Sequence, residues 1–237
     1  MLKDEKAEMV VSVLRKLREK ETLHLEEFRS IVGDTELYNL LATKGRKDPA
    51  NQKITFDLKS KLEISLIALK YGAEIESVCK ILSWREFEAF SREVLERNNY
   101  SCMQNFRFKL HRKRYEIDVI GLKKPLIVCV DAKHYRKSGK THTLRVACKK
   151  QVERAEALSE TLPETASKLR ITRWEKVKIV PLIVTLLPEE VGFFERVPVV
   201  PFFKLNSFLI ELQAHISEIF HIQTKLPKYT LLGYKNP

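Results

Sequence analysis

The sequence contains only four cysteines, and none of them belongs to a metal-binding or redox motif. No CxxC pair is present, and no cysteine stands at the spacing from other cysteines or histidines that zinc sites require. We therefore expect reduced, mostly buried thiols. The four residues are Cys79, Cys102, Cys129 and Cys148.

Long apolar runs and a secretory signal are also missing. The longest apolar run, residues 179–187, is far shorter than the roughly 20 residues that span a bilayer. The first ten residues, MLKDEKAEMV, are charged and then follow a helical pattern, which is not the pattern of a signal peptide. These features predict a cytoplasmic protein without a membrane partner.

Acidic side chains are outnumbered by basic ones. Lys and Arg total 43 against 31 Asp and Glu, which gives a net charge of +12. A basic chain attracts polyanions, and nucleic acid above all. Thermophilic proteins also carry many charged side chains, but that would explain the number of charges and not the imbalance between the two signs.

Two domains are predicted, with no internal repeat and no low-complexity linker. Residues 1–80 have the pattern of a small helical, winged-helix-like domain, in which Asp34 is a suitable N-cap. This part reads as helices at 4–19, 22–33 and 34–45, a strand within 51–58, and a helix ending at Gly72.

Residues 81–237 follow a different pattern, which predicts a mixed α/β core. A helix begins at Ser83, where Ser83 and Glu86 form a capping box. Three strands, a helix, one or two strands and a last helix follow it, and we expect Asn206 or Ser207 to cap that last helix. These elements read as 101–110, 115–121, 126–132, 143–162, 177–187, 197–203 and 206–220.

The strand at 126–132 continues into the sequence CVDAKHY, with an aspartate and a lysine two residues apart. Residues i and i+2 of a strand share a face, so Asp131 and Lys133 stand side by side. If the preceding strand pairs with this one across the turn GLKKP, Asp118 can meet Asp131 on one face. Two facing carboxylates repel each other unless a cation lies between them.

Polar residues also occur on the two flanking helices. Glu88 lies at the edge of the apolar face of the first helix, and Gln151 falls in the centre of the apolar stripe of the second. Each has a structural alternative: the Glu88 side chain could reach water beside the apolar face, and Gln151 could bond to the backbone.

Taken in order, these residues resemble the PD-(D/E)xK nuclease superfamily. Within it they are similar to the Mrr-type restriction endonuclease catalytic domain and its relatives, which include the archaeal Holliday-junction resolvases. The resemblance covers about residues 83–210, and Ile117 stands where the eponymous motif has proline. The matching segments are WREFE, YEIDVIG, VCVDAKHY and KKQVERA.

The resemblance implies a restriction endonuclease-like fold, with a mixed β-sheet core flanked by helices, and a DNA phosphodiesterase activity. Asp118, Asp131, Glu88 and the backbone carbonyl of Ala132 would hold Mg²⁺ or Mn²⁺, for which hard oxygen ligands are suited. Lys133 would orient or deprotonate the attacking water, and Gln151 would contact Lys133, a metal-bound water or the phosphate. Duplex cleavage commonly uses two active sites, which favours a homodimer.

Basic segments flank this predicted site and would contact the phosphate backbone of DNA. They supply Arg107, Lys109, Arg112, Lys113, Arg114, Arg136, Lys137 and Lys140. A further candidate patch, in the N-terminal domain, comprises Lys44, Arg46 and Lys47. Two other readings stay open: a non-catalytic DNA-binding protein on a nuclease-like fold, and a nuclease that acts on RNA.

Overall fold

The computed structural model describes residues 3–133, 141–186 and 192–226, except for the side chain of Trp84. By its internal contacts the chain divides into two compact units, Met1–Phe90 and Ser91–Pro237. The division falls inside a helix, ten residues after the predicted boundary at residue 80.

The first unit is mainly helical and contains a small three-stranded antiparallel sheet in the order β1-β3-β2. A helix and a strand come first, then two helices joined by a tight turn, then a two-stranded hairpin. The mainly helical character expected of this part is confirmed, and its winged-helix-like nature stays a prediction. Its elements are α1 (Lys3–Glu19), β1 (Thr22–His24), α2 (Leu25–Val32), α3 (Thr35–Ala42), β2 (Arg46–Asp48), β3 (Lys53–Thr55), α4 (Leu58–Lys70) and α5 (Ile75–Ile81).

Local signals fix the turn between α2 and α3. Gly33 ends α2 with a positive φ of 62°, a conformation that glycine adopts without strain. Asp34 caps α3, because its carboxylate accepts a hydrogen bond of 2.6 Å from the backbone N–H of Leu37. The cap predicted at Asp34 is confirmed.

The start of the second predicted helix is wrong. Residues 22–24 form β1 instead, because Thr22 and Leu23 pair with Thr55 and Ile54 of β3. Long-range pairing of this kind overrides the local pattern, since a strand gains its stability from its neighbours. The strand β2 and the helix α5 were also not predicted.

The second unit contains a seven-stranded mixed sheet in the order β4-β5-β6-β7-β9-β8, with β10 paired to the edge of β7. The hairpin strands β4, β5 and β6 are antiparallel, whereas β6, β7 and β9 are parallel. The predicted fold class, a mixed sheet flanked by helices with a helical N-terminal part, is confirmed. The strands are β4 (Ser101–Leu110), β5 (Lys113–Lys123), β6 (Leu126–Lys133), β7 (Lys176–Thr185), β8 (Phe193–Phe194), β9 (Val197–Pro201) and β10 (Ile222–Lys225).

Helices cover this sheet, and one of them connects β6 to the parallel strand β7. That helix packs Ala155, Leu158 and neighbouring apolar residues against the buried side chains of β5, β6 and β7. A parallel connection needs such a crossover, so the helix is held against the sheet directly beside the end of β6. The helices are α6 (Trp84–Arg97), which runs across the division between the units, α7 (Thr141–Glu160), α8 (Leu162–Thr165) and α9 (Leu205–Glu211).

The last helix is shorter than predicted. α9 begins after Lys204 with no side-chain cap and ends at Glu211, and β10 follows it. Asn206 lies inside the helix and does not cap it, and its side-chain Oδ1 accepts a hydrogen bond of 2.9 Å from Asn98 Nδ2. The predicted cap at Asn206 or Ser207 is therefore wrong.

The capping box at the start of α6 is confirmed. The backbone N–H of Ser83 donates to Glu86 Oε2 at 2.8 Å, and the N–H of Glu86 donates to Ser83 Oγ at 3.3 Å. Glu86 also pairs with Lys61 at 3.0 Å. Burial would raise the pKa of Glu86, but the hydrogen bonds from Ser83 and Lys61 outweigh it, so this pKa lies below its usual range.

The cysteines are free thiols, as predicted, and three of the four are buried. Burial raises the pKa of the Cys79 and Cys102 thiols to about 12. Burial and the negative charge of Asp131 raise that of Cys148 to about 11. Within the described ranges, no helix is both long and apolar enough to cross a membrane.

Candidate active site

The candidate site lies where β5 and β6 separate. Their pairing ends with Val119 opposite Val130, and one further step of the same register places Asp118 opposite Asp131. Beyond this point a side chain replaces the backbone pairing between the strands. Asp118 Oδ2 accepts a hydrogen bond of 3.0 Å from the backbone N–H of Ala132. The structure thus brings Asp118 to the segment 131–133, as the hairpin pattern predicts.

Asp131 is a buried carboxylate between two cations. It is only 2 % exposed. Lys133 Nζ lies 2.8 Å from its Oδ2, and Arg154 Nη1 lies 3.2 Å from its Oδ1. The Lys133 contact is ionic without hydrogen-bond alignment, so Oδ2 is a buried oxygen that has no hydrogen-bond partner among the described residues. The ammonium group of Lys133 compensates the charge of this oxygen, so Asp131 is a buried ion-paired carboxylate and not an isolated buried charge.

Gln151 is fully buried on α7 and connects this helix to β6. Its Nε2 donates to the carbonyl oxygen of Cys129 at 2.7 Å, and its Oε1 accepts from Arg154 Nη1 at 3.0 Å. A carbonyl can only accept and a guanidinium can only donate, so these partners fix the orientation of the amide. The contacts shown for Gln151 are therefore with Cys129 and Arg154, and its predicted contact with Lys133, water or phosphate stays a prediction.

Arg154 is the member of the site that the sequence did not reveal. It stands three residues after Gln151, so the two side chains lie on one face of α7. That spacing could have suggested Arg154, but Lys150 stands one residue before Gln151 and looks equally basic in the sequence. Only the packing of α7 beside β6 selects Arg154.

The charges of this cluster balance. Asp118 and Asp131 supply two negative charges, and Lys133 and Arg154 supply two positive ones. Lys133 and Arg154 are partly exposed, at 22 % and 26 % of their side-chain surfaces, so the cluster opens to solvent on the cationic side. A bound divalent cation would give the cluster an excess positive charge, which suits a phosphate ligand.

Glu88 lies half-buried on α6, in the unit Met1–Phe90. Its place among the metal ligands stays a prediction. Within the part of the chain that the structure describes, no group of three or more His, Cys, Asp or Glu side chains is arranged to hold a metal ion. A site here would therefore depend on two carboxylates, backbone oxygen and water, a ligand set that Mg²⁺ accepts.

The basic residues of the β4–β5 hairpin are not equivalent. Arg107 donates to Glu116 at 2.8 and 3.3 Å, and Lys113 forms a short ion pair with Glu153, so both cations are already compensated. The hairpin and the region of α8 also form a groove of about 820 Å³. Its basic lining residues are Arg107, Lys109, Arg114 and Lys168.

Lys168 was not predicted as a binding residue. It follows α8 and contributes a further positive charge to the lining of the groove. Arg112 is exposed at the hairpin turn. The other predicted contacts, Arg136, Lys137 and Lys140, lie in residues 134–140, outside the described residues.

The basic patch of the first unit is partly compensated as well. Lys44 pairs with Glu63 at 3.1 Å. Lys47 lies 5.9 Å from the ring centroid of Tyr38, and Arg29 stacks over the same ring at 5.2 Å. Arg46 is exposed on β2. Lys47 of the hairpin and Arg29 of α2 therefore lie over the same aromatic side chain.

Comparison with known proteins assigns no activity to the chain. No family model matches it. It is 29 % identical over 138 residues to an uncharacterized protein of Archaeoglobus fulgidus, and the match covers 58 % of this chain and 97 % of that protein. Among solved structures, protein VC1899 from Vibrio cholerae matches with a TM-score of 0.32 and 13 % identity, over 90 % of this chain and 52 % of that one. The chain thus spans about half the length of VC1899.

Proposed function

We propose that this protein is a metal-dependent DNA nuclease, an endonuclease of the PD-(D/E)xK type. The observation that carries this proposal is the pair Asp118 and Asp131 at the opening between β5 and β6, with Lys133 2.8 Å from the buried Asp131 Oδ2. Balanced charges alone would stabilise a structural cluster. Two aspartates that meet where paired strands separate, next to a partly exposed lysine, instead favour a site that receives a cation and a phosphate.

The candidate donors are hard oxygens, so the ion that we propose for this site is Mg²⁺ or Mn²⁺. Asp118, Asp131 and the backbone carbonyl of Ala132 would hold it, with Glu88 as the predicted further ligand. The bound ion would supply Lewis acidity and lower the pKa of water at the site. Hard oxygen donors select these ions over softer metals.

Lys133 would act on the attacking water and on the phosphate. Its ammonium group stands on the same strand face as Asp131 and lies 2.8 Å from that carboxylate. It would orient the water or take its proton, and as a cation it would stabilise the negative charge of the transition state. Arg154 would keep the Asp131 carboxylate in place during these steps.

DNA is the proposed substrate and partner. The net charge of +12 and the groove beside the β4–β5 hairpin favour a polyanion. The helix-turn-helix formed by α2 and α3, followed by a basic hairpin, favours a duplex bound by the first unit. Cleavage of both strands of a duplex favours a homodimer. A DNA substrate is consistent with a cytoplasmic protein.

A cleavage assay tests the proposal directly. We expect labelled duplex, single-stranded or four-way-junction DNA to be cut with Mg²⁺ or Mn²⁺ and to remain intact with EDTA, because the water must be activated by the metal. Cleavage of RNA strands of the same sequence, with the DNA strands left intact, would instead identify an RNA-directed enzyme. Salt-sensitive binding without metal-dependent products on any substrate would contradict the proposal and favour a non-catalytic DNA-binding protein.

The groove gives a second prediction, for binding rather than cleavage. Arg114→Ala and Lys168→Ala should each lower DNA affinity and reduce the slope of log K against log salt by about 1, since each removes one phosphate contact. Lys204→Ala is the charge-matched control, because this exposed lysine does not line the groove. Binding isotherms at several salt concentrations measure the slopes. Equal slopes in all variants would exclude the groove from the interface.

A further inference from the structure

The side of β4 that packs against the core changes partway along the strand. Successive side chains of a regular strand alternate between the two faces of a sheet, so residues three positions apart lie on opposite faces. Met103 and Phe106 are three positions apart, yet both pack in the same core cluster. The alternation is therefore interrupted between them. Asn105 stands at the interruption with a φ of 50°, whereas a residue of an antiparallel strand has a φ of about −140°.

The neighbouring strand β5 is interrupted at the same level. Ile117 and Ile120 are three positions apart and also belong to this one cluster. The hairpin register pairs Phe106 with Ile117, so the residue before Phe106 lies opposite the residue after Ile117. These two residues are Asn105 and Asp118. The change of phase in both strands is thus centred on an aspartate of the candidate site.

The direction of the Asp118 side chain is explained by this change of phase. Side chains of a regular strand stand roughly perpendicular to the sheet, whereas the backbone N–H groups that join strands lie within it. Asp118 Oδ2 nevertheless accepts a hydrogen bond of 3.0 Å from the backbone N–H of Ala132 on β6. The carboxylate is therefore turned toward the end of β6, where Asp131 and Lys133 lie.

Asn105 is suited to hold this conformation. In the left-handed region the Cβ atom crowds the backbone, a strain that asparagine tolerates better than most residues and β-branched residues tolerate least. The Asn105 side chain is exposed, so its contribution does not come from core packing. A strained backbone persists only where the surrounding structure holds it, and such residues cluster at functional sites.

We infer that Asn105 is a positioning residue, whose left-handed backbone keeps the Asp118 carboxylate at the end of β6. A residue with an extended φ at position 105 would let both strands alternate regularly and would turn Asp118 out of the site. The placement of Asp118 holds whatever the carboxylate binds, and the effect on cleavage rests on the proposed function.

Two substitutions at position 105 test this in the full-length protein. Glycine adopts a positive φ without strain, so Asn105→Gly should cleave DNA within about twofold of wild type. Valine disfavours this region and favours an extended strand, so Asn105→Val should lower the single-turnover cleavage rate by about 10²-fold, the scale of effect of a misplaced catalytic group. Neither substitution removes a charge, so DNA affinity should stay unchanged.

The amide proton of Ala132 gives a second readout that does not depend on activity. A hydrogen bond to a carboxylate deshields an amide proton, so its NMR resonance should move upfield in Asn105→Val and stay in place in Asn105→Gly. Asn105→Ala, a milder change, should show both effects to a smaller degree and serves if Asn105→Val does not fold.

Asn99→Val is the matched control. Asn99 is also exposed and has a positive φ of 63°, but it stands just before β4 and not opposite Asp118. Its substitution imposes the same kind of strain, so the melting temperature should fall as it does in Asn105→Val. The cleavage rate and the Ala132 resonance should stay at their wild-type values.

The possible results separate the role of Asn105 from the proposed function. Wild-type rates and an unchanged Ala132 resonance in both Asn105→Val and Asn105→Ala would overturn this role. Equal losses in Asn99→Val, or a loss in Asn105→Gly as large as in Asn105→Val, would do the same. If the wild-type protein cuts no DNA while the Ala132 resonance responds to Asn105→Val and not to Asn99→Val, the proposed function falls and the positioning of Asp118 stands.

Discussion

Asp131→Asn and Asp118→Asn should each reduce the rate of DNA cleavage by about 10³-fold while the protein still folds and binds DNA. Each substitution removes one of the two carboxylate charges that would hold the metal, and loss of one electrostatic group at a catalytic centre has this order of effect. The asparagines preserve the shape of the side chains. At position 118 the amide oxygen can still accept from the N–H of Ala132, so the separation of β5 and β6 should persist.

The measurement is a single-turnover cleavage rate at saturating DNA, with affinity determined separately. Glu116→Gln is the matched control, because Glu116 stands on the same strand two residues before Asp118 but pairs with Arg107. We expect the control to cleave within about twofold of wild type, as its ion pair is largely exposed. Cleavage at the wild-type rate in Asp131→Asn or in Asp118→Asn would remove these residues from the catalytic site.

The two aspartates could be predicted because their positions depend on rules that act over short distances. Alternation along β5 and β6 fixes which side chains share a face, and the short turn between the strands fixes their register. Asp118 and Asp131 therefore come together whatever the rest of the fold does. The same alternation places Arg107 opposite Glu116, so their ion pair could also have been predicted from the sequence, while the DNA contact of Arg107 stays a prediction.

Arg154 and β10 could not be predicted because they depend on packing between distant segments. The contact of Arg154 with Asp131 requires a particular rotation of α7 against β6, and no local pattern of the helix specifies it. The strand β10 has the sequence IQTK, which is short and lacks a distinctive alternation, and it is defined by pairing with Lys176–Ile179 of β7. An edge strand of this kind forms because a neighbouring strand supplies hydrogen-bond partners, and its own sequence does not distinguish it from a loop.

Lys133→Met should reduce cleavage by about 10²–10³-fold while metal binding is retained, whereas Asp131→Asn should weaken both. The substitution keeps an unbranched side chain beside the buried carboxylate but removes the ammonium group 2.8 Å from Oδ2. An aliphatic side chain does not compete with a divalent cation for that oxygen, so Mn²⁺ affinity should stay the same or increase. Calorimetric titration and single-turnover rates on the same preparations separate the two effects.

Lys133→Arg then distinguishes between the roles that the lysine could have. Arginine keeps the positive charge but stays protonated at any working pH, so it can stabilise the phosphate and cannot take a proton from water. Substantial recovery of the cleavage rate, relative to Lys133→Met, would show that the lysine acts by its charge. A rate as low as that of Lys133→Met would support proton transfer. Lys150→Met is the charge-matched control, and wild-type cleavage in Lys133→Met would exclude Lys133 from the reaction.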